Sequence, residues 1–282
     1  MAAEGLPIQR ARPLLGVSVS GYYSWLRRPP SARSIHWAWL TDVISQGHAD
    51  SRQTYGSKRV HAEMTLARGI EVCRQTVENL MRRAGLRGVS GRPKYRRVPY
   101  TATASDLDEG DFTRSEPDRL WATDITERPT REGKVYCAVV LDAFICRIVG
   151  WSIDSRPTAA LVTNSLGMAI DGRQPAKGEA VIHSDQGTQF TSWAFTRRPI
   201  DSGLVPSMGS IGDCFDNAMI ESFWSLMQVE LLDCQRRRTR IELANTIFEY
   251  PEIWHNRQRR YTTHSMLTPI EFKARHQQTT AA

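Results

Sequence analysis

Val181-Ile182-His183-Ser184-Asp185-Gln186-Gly187-Thr188-Gln189-Phe190-Thr191-Ser192 opens the part of the chain that decides the fold, and Gly212-Asp213-Cys214-Phe215-Asp216-Asn217-Ala218-Met219-Ile220-Glu221-Ser222-Phe223-Trp224 closes it. The apolar run 180–182 leads straight into a polar turn carrying Asp185 and Gly187, which predicts a carboxylate at the C-terminal lip of a buried strand. Open α/β sheets place ligand chemistry at that lip. Glu221 falls in a segment of helical period. Ile220, Phe223, Trp224, Met227 and Leu231 recur at core spacing, while Asn217, Glu221, Ser225 and Gln228 make a polar stripe opposite. Asp213 or Asp216 is the expected cap. Upstream, Leu120-Trp121-Ala122-Thr123-Asp124-Ile125-Thr126 sets a third carboxylate in a strand-like run, where an unpaired charge is expensive. Three carboxylates so placed ask for a cation.

Taken singly, each acid has a plainer explanation. A lone Asp at a strand end is usually a cap or turn former, which is the reading for Asp142 and Asp154. The setting of Asp185 between His183 and Gly187, and its sequence distances to Asp124 and Glu221, favour chemistry instead. His183 either orients Asp185 or fills a turn. Asn217, one turn before Glu221, touches the substrate or supports Glu221 rather than binding metal.

The ordered pattern W-x-T-D-I-T, H-S-D-x-G-x-Q-F-T-S and G-x-x-x-D-N-A-x-x-E-S-F-W resembles the catalytic core of DDE transposases and retroviral-type integrases. It is most similar to the OrfB subunit of bacterial insertion-sequence transposases. Between Asp185 and Glu221 lie 35 residues, the spacing of the family's DD(35)E label. The resemblance implies a ribonuclease H-like α/β core and DNA cleavage followed by strand transfer, with Asp124, Asp185 and Glu221 as catalytic metal ligands. It also implies duplex DNA as partner, a homo-oligomer that holds two DNA ends, and an upstream OrfA-type chain or fusion. In-line displacement at a phosphodiester needs charge stabilisation on both the attacking and the leaving oxygen, which two metal ions supply. Mg²⁺ is hard and keeps several waters, so a few carboxylates suffice; two ions are expected, with Mn²⁺ as a substitute. Without metal the three anions repel and take up protons near neutral pH.

A chain of 282 residues is long enough for one or two domains with an ample core. The net charge is +7, from 37 basic and 30 acidic side chains. Residues 1–100 hold 17 of the basic and 6 of the acidic ones, which leaves 20 against 24 in 101–282. The front third is therefore the polyanion-binding part. Cys73, Cys137, Cys146, Cys214 and Cys234 form no C-x-x-C pair and no Cys/His cluster of zinc spacing, which points to a reduced compartment without a zinc site. No apolar leader is present, and the longest apolar stretch, 135–153, is broken by Asp142 and Arg147. A cytoplasmic, nucleoid-associated protein is expected.

Along the chain, a short Ser-capped helix ends at Pro29-Pro30, and a second helix runs over about 35–48. Val60, Met64 and Ala67 form an apolar stripe that Gly69 breaks. A further helix over 74–84 turns Val77, Leu80, Met81 and Ala84 inward. Helix, Gly-containing break and basic helix give a helix-turn-helix outline. A small helical bundle with a solvated basic face is the alternative. DNA contacts are expected from Lys58, Arg59, Arg74, Gln75, Arg82 and Arg83, and from Lys94, Arg96 and Arg97 in a Gly/Pro-punctuated linker over 87–97.

Strands over 120–126, 135–143 and 147–153, a helix over 157–170, a strand over 180–184, a broken helix near 192–198 and a strand over 204–208 complete an α/β pattern. The expected units are a basic helical region with linker (1–100), a spacer (101–118), the catalytic core (119–235) and a basic helical tail (236–282). Against the family pattern, Gly209-Ser210-Ile211-Gly212 and Gln228 stand where basic residues are common, and Pro199 and Pro251 fall within helices. The missing basic residues imply a weaker grip on DNA near the active site, and the prolines predict shortened helices, or a copy drifting towards inactivity. A catalytically inactive DNA-binding repressor and a ribonuclease H-like nuclease are the competing functions.

Overall fold

The computed structural model describes residues 16–89, 116–185, 187–208, 214–234 and 238–280, with residues 214–218 described in the backbone alone. Most of the expected linker, including Lys94, Arg96 and Arg97, lies outside the described residues, as do most of the spacer and Asp213.

Ser18 accepts a hydrogen bond from Gly21 N at 3.0 Å and starts α1 (Val19–Arg27), which stops before the two prolines. Ser31 caps α2 (Ala32–Asp50) in the same way. Next come α3 (Ser57–Ala62), continued by a π-helical stretch, Glu63–Ala67, and α4 (Arg74–Arg83). Gly69, at φ +63°, makes the turn between them in a conformation that glycine adopts without strain. Val60, Met64, Val77, Leu80 and Met81 bury against Leu40, Ile44 and Tyr55. Two expected inward positions need correcting, since Ala67 and Ala84 are exposed. The wider π turn carries Ala67 off the stripe, and α4 ends before Ala84, so that Leu86 packs there instead.

The core is one five-stranded sheet of order β3-β2-β1-β4-β5. β1 (Leu120–Thr130), β2 (Gly133–Asp142) and β3 (Arg147–Asp154) form an antiparallel meander. β4 (Val181–Ser184) and β5 (Val205–Met208) add in parallel to the other side of β1, which is therefore central. Alternation along β1 sends Trp121 towards α5 (Ala159–Arg173) and α6 (Trp193–Asp201) on one face, and Ala122 towards α7 (Cys214–Met227) and α8 (Arg240–Glu249) on the other. On β3, a Cβ at Gly150 would come within 2.1 Å of Ser165 O, so α5 lies with its backbone directly on the strand. This is the expected ribonuclease H-like layering. Asp142 forms a turn, its Oδ1 accepting from Phe144 N and Ile145 N.

The prolines shorten nothing. Pro199 sits late in α6, and Pro251 lies at the start of a π-helical continuation of α8, Tyr250–Gln258. At Pro251 the wider i→i+5 turn relieves the ring's clash with the carbonyl four residues back, whereas Pro199 stands in an α-helical turn two residues before the end of α6. Asp216 lies inside α7 rather than at its cap.

The segment after α7 is not a loose tail. Asn256 exchanges two 2.9 Å hydrogen bonds with the Ile148 backbone of β3, and Trp151 Nε1 donates to Glu252 at 2.9 Å. It also carries the front helices: the Tyr55 hydroxyl donates to Gln258 O and accepts from Arg260 N, while Arg260 pairs with Glu63 at 2.7 Å. A last helix, α9 (Pro269–Thr280), follows.

At the junction Glu230, 5% exposed, receives Arg259 Nε and Nη2 at 2.8–3.0 Å, with the Tyr250 hydroxyl and Trp254 Nε1 at 3.0 Å. Burial alone would raise its pKa, but the Arg259 charge and these donors hold the carboxyl below its ordinary value. Beside them His255, 1% exposed, is pushed down to about 3 by burial and by Arg259, so it stays neutral, with Nε2 2.8 Å from Cys146 O.

The sign of the pH effect follows. The unfolded chain protonates this group near pH ~6.5 and the folded one does not, so the stability it contributes is present above ~6.5 and is lost as pH falls towards about 3. In urea unfolding, the stability gap between wild type and His255→Gln should narrow by on the order of 2 kcal/mol between about pH 7 and pH 5. A gap that ignores pH would mean that the imidazole is charged in the fold.

Candidate active site

The register of the two central parallel strands builds the site. Thr123 on β1 pairs with Ser184 on β4, so the next residue on each chain is an aspartate, Asp124 and Asp185. Neighbouring strands lie about 4.8 Å apart. The two carboxylates are therefore brought together by main-chain pairing. Both line a cavity of about 320 Å³ with Ile125, Glu127, Tyr136, Pro157, Gly187, Gln189 and Phe190.

Each aspartate is held by donors. Asp124 Oδ1 accepts from Ile125 N at 2.7 Å and Oδ2 from Trp224 Nε1 at 2.9 Å. Asp185 Oδ1 accepts from Gly187 N at 2.9 Å, and a Cβ at 187 would press on that oxygen at 3.0 Å. Burial raises the Asp124 pKa to about 6; the negative charges of Asp185 and Glu221 add to the rise, against the hydrogen bonds from Ile125 and Trp224. No lysine or arginine among the described residues pairs with Asp124, Asp185 or Glu221. The site therefore holds excess negative charge.

Glu221 is placed differently from its partners. It is exposed on α7, three residues before Trp224, and reaches Asp124 through its charge. Among the described residues no group of three His, Cys, Asp or Glu is gathered tightly enough to hold a metal ion jointly. Mutual repulsion gives a physical reason for the splay. The donor set still fits Mg²⁺, which takes one or two carboxylate oxygens and fills its remaining positions with water or phosphate.

His183 is buried and its Nδ1 lies 3.2 Å from Ser207 Oγ of β5, tying β4 to its neighbour. Lys58, Arg74, Gln75, Arg82 and Arg83 all stand at the surface of the front helices. Arg82 is engaged by Glu78 at 3.0 Å, and Arg83 lies over the Trp37 ring at 5.3 Å. Arg59 turns inward instead, 3.9 Å from buried Glu230 and over the Tyr55 ring. The backbone of Asn217 lies in the first turns of α7.

Sequence reading missed two residues of the site. Trp224 was legible only as a core residue, yet a buried indole also carries an N–H that needs an acceptor. Glu127 lines the cavity and pairs with Lys134 at 2.7 Å; the only signal was a further acid three residues past Asp124.

A family model described as an HTH-like domain matches residues 37–94, and models described as integrase core domain match 114–214 and 221–276. The chain is 34% identical over 272 residues to the insertion element IS600 uncharacterized 31 kDa protein of Shigella sonnei, covering 95% of this chain and 99% of that one. It is 35% identical over 267 residues to a putative transposase for insertion sequence element IS986/IS6110 of Mycobacterium tuberculosis, covering 92% and 95%. It is 34% identical over 266 residues to transposase InsF for insertion sequence IS3A of Escherichia coli, covering 92% and 91%. Among solved structures, it is similar to the HTLV-2 integrase catalytic core domain in complex with magnesium (19% identity, 56% of this chain and 97% of that chain, TM-score 0.42). It is also similar to a simian T-cell lymphotropic virus intasome (15%, 82% and 74%, TM-score 0.45). With relatives this similar along nearly its whole length, the chain belongs to the insertion-sequence transposases, which set an integrase core behind an HTH-like domain.

Proposed function

We propose that this transposase cleaves a phosphodiester at the end of its element and then joins the freed 3′-hydroxyl to a second strand, with Asp124, Asp185 and Glu221 as the catalytic carboxylates. The observation that carries the assignment is the Thr123–Ser184 register, which sets two aspartates side by side at the lip of the sheet. In the first step water oxygen bonds to phosphorus and the 3′-oxygen leaves; in the second that 3′-oxygen attacks, and a target 3′-oxygen leaves. Asp124 and Asp185 would hold Mg²⁺, in our reading two ions with Mn²⁺ as a substitute, and Glu221 would close on it from α7. The cation supplies charge stabilisation for the attacking and leaving oxygens. The chain's own contribution is orientation. Trp224 and Ile125 fix the Asp124 carboxylate, Gly187 N fixes that of Asp185, and Pro157, Gln189 and Phe190 wall the cavity.

Lys58, Arg74 and Gln75 are proposed to meet the duplex from the front helices, and paired-end cutting to need a homo-oligomer and an upstream OrfA-type partner. A strand-transfer assay on pre-cut and uncut element ends tests the whole. Joining of pre-cut ends in Mg²⁺ is expected from the chain alone, with specific cutting of uncut ends only when the upstream product is supplied. In the same assay Lys58→Met with Arg74→Met should weaken capture of any duplex. Cleavage without joining would mean a nuclease; binding without either reaction, a repressor.

A further inference from the structure

A second cavity, of about 690 Å³, opens where β1 runs on past the end of β4 beneath the π-helical continuation of α7 (Gln228–Leu232). Arg128, Arg131, Arg238 and Gln228 line it, with Leu231 and Leu243 as an apolar wall. Two buried polar atoms there lack a hydrogen-bond partner among the described residues, Arg128 Nε and Gln228 Oε1. Gln228 Nε2 donates to Asp233 Oδ1, which fixes the amide and leaves Oε1 as the acceptor. The guanidinium groups of Arg131 and Arg238 form no ion pair among the described residues, and both side chains are exposed. Asp233 is the acid whose charge reaches Arg128, and Glu242 Oε2 accepts from the Arg238 backbone N–H at 2.9 Å, so three arginines meet two acids there.

A buried donor left unmade costs on the order of 1–3 kcal/mol, and a protein tolerates one most readily where a ligand completes it. Planar guanidinium forks match phosphate oxygens. Arg128 sits four residues after Asp124, on the same face of β1, hence ~13 Å along the strand at about 3.3 Å per residue. Phosphates on one strand of a duplex advance about 3.4 Å per base pair along the axis while winding round it, so a nearby phosphate of the same strand falls within reach of that span.

We propose that this cavity seats a backbone phosphate of the DNA strand whose reacting phosphate lies at Asp124 and Asp185. Arg128 Nε and the Arg131 and Arg238 guanidinium groups are its donors, Leu231 and Leu243 cover the deoxyribose, and Gln228 Oε1 takes a donor from an adjoining base or a water. The inference rests on the proposed catalytic reading and deepens it by fixing where the strand leaves the site.

The test measures affinity of the full chain for a labelled duplex across a salt series. Arg131→Met with Arg238→Met, both surface changes, should weaken binding about ten-fold at moderate salt and lower the slope of log affinity against log salt by about 1, the share of one phosphate. Arg128→Met should weaken binding further, with its melting temperature checked because that side chain is half-buried. An unchanged slope and affinity in the Arg131→Met/Arg238→Met chain would overturn the proposal. So would inorganic pyrophosphate raising the melting temperature of the wild type but not of that variant while the DNA slope stays constant, since the cavity would then take free phosphate. A lowered slope together with normal turnover in Asp124→Asn would leave the cavity assignment standing and remove the catalytic one.

Discussion

Asp124→Asn, Asp185→Asn and Glu221→Gln should each lower cleavage and joining by about three orders of magnitude or more, while duplex affinity stays near that of the wild type. Metal-assisted charge stabilisation is worth several kcal/mol, and each 1.36 kcal/mol of barrier is ~ten-fold in rate. The three changes do not carry the same structural risk. Asn at 124 keeps one acceptor where two donors, Ile125 N and Trp224 Nε1, now point, so part of its effect is local. Glu221 is exposed, and Gln there disturbs no described contact. Glu221→Gln is thus the cleanest of the three. Near-normal turnover by that variant in Mg²⁺ would remove Glu221 from the catalytic set and leave an aspartate pair.

The second large effect lies away from the chemistry. Arg259→Met should destabilise the protein by about 3–5 kcal/mol, because it leaves Glu230 buried without its counter-charge. Glu230→Leu added to it should recover much of that loss, since an apolar pair of similar volume avoids the desolvation of both ions. Chemical denaturation of the single and double variants reads both numbers. If Arg259→Met melted like the wild type, water or Arg59, 3.9 Å away, would be compensating Glu230, and the junction would be more open than its 5% exposure implies.

The catalytic layer was legible because its signals are local. Strand periodicity, the polar residues after β4 and the polar positions of the Glu221 helix are all set by neighbours in sequence, and the structure holds Asp185 by Gly187 N and leaves Glu221 and Ser225 exposed on α7. What stayed hidden depends on residues far apart. Trp224 meets Asp124 across 100 residues, and Glu230 meets Arg259 across 29, through pairings that no period announces. Arg59 read as one more surface cation because nothing near it in sequence reveals the acid it turns towards. Pro251 misled for a different reason: the proline rule assumes an α-helical turn, and the chain winds wider there. Ala67 failed on the same ground.

The hydroxyl of Tyr55 holds Gln258 and Arg260, partners 203 and 205 residues further on. A ribosome adds residues one at a time, so for most of its synthesis the nascent chain has front helices with nothing to lock against. The front helices reach their final seat only when residues 258–260 have left the exit tunnel. A product stopped shortly after residue 234 would keep Asp124, Asp185 and Glu221 yet lack Arg259, and with it the counter-ion of Glu230. Synthesis to the far end is therefore a condition of assembly, and premature termination leaves the carboxylates on a chain that cannot close.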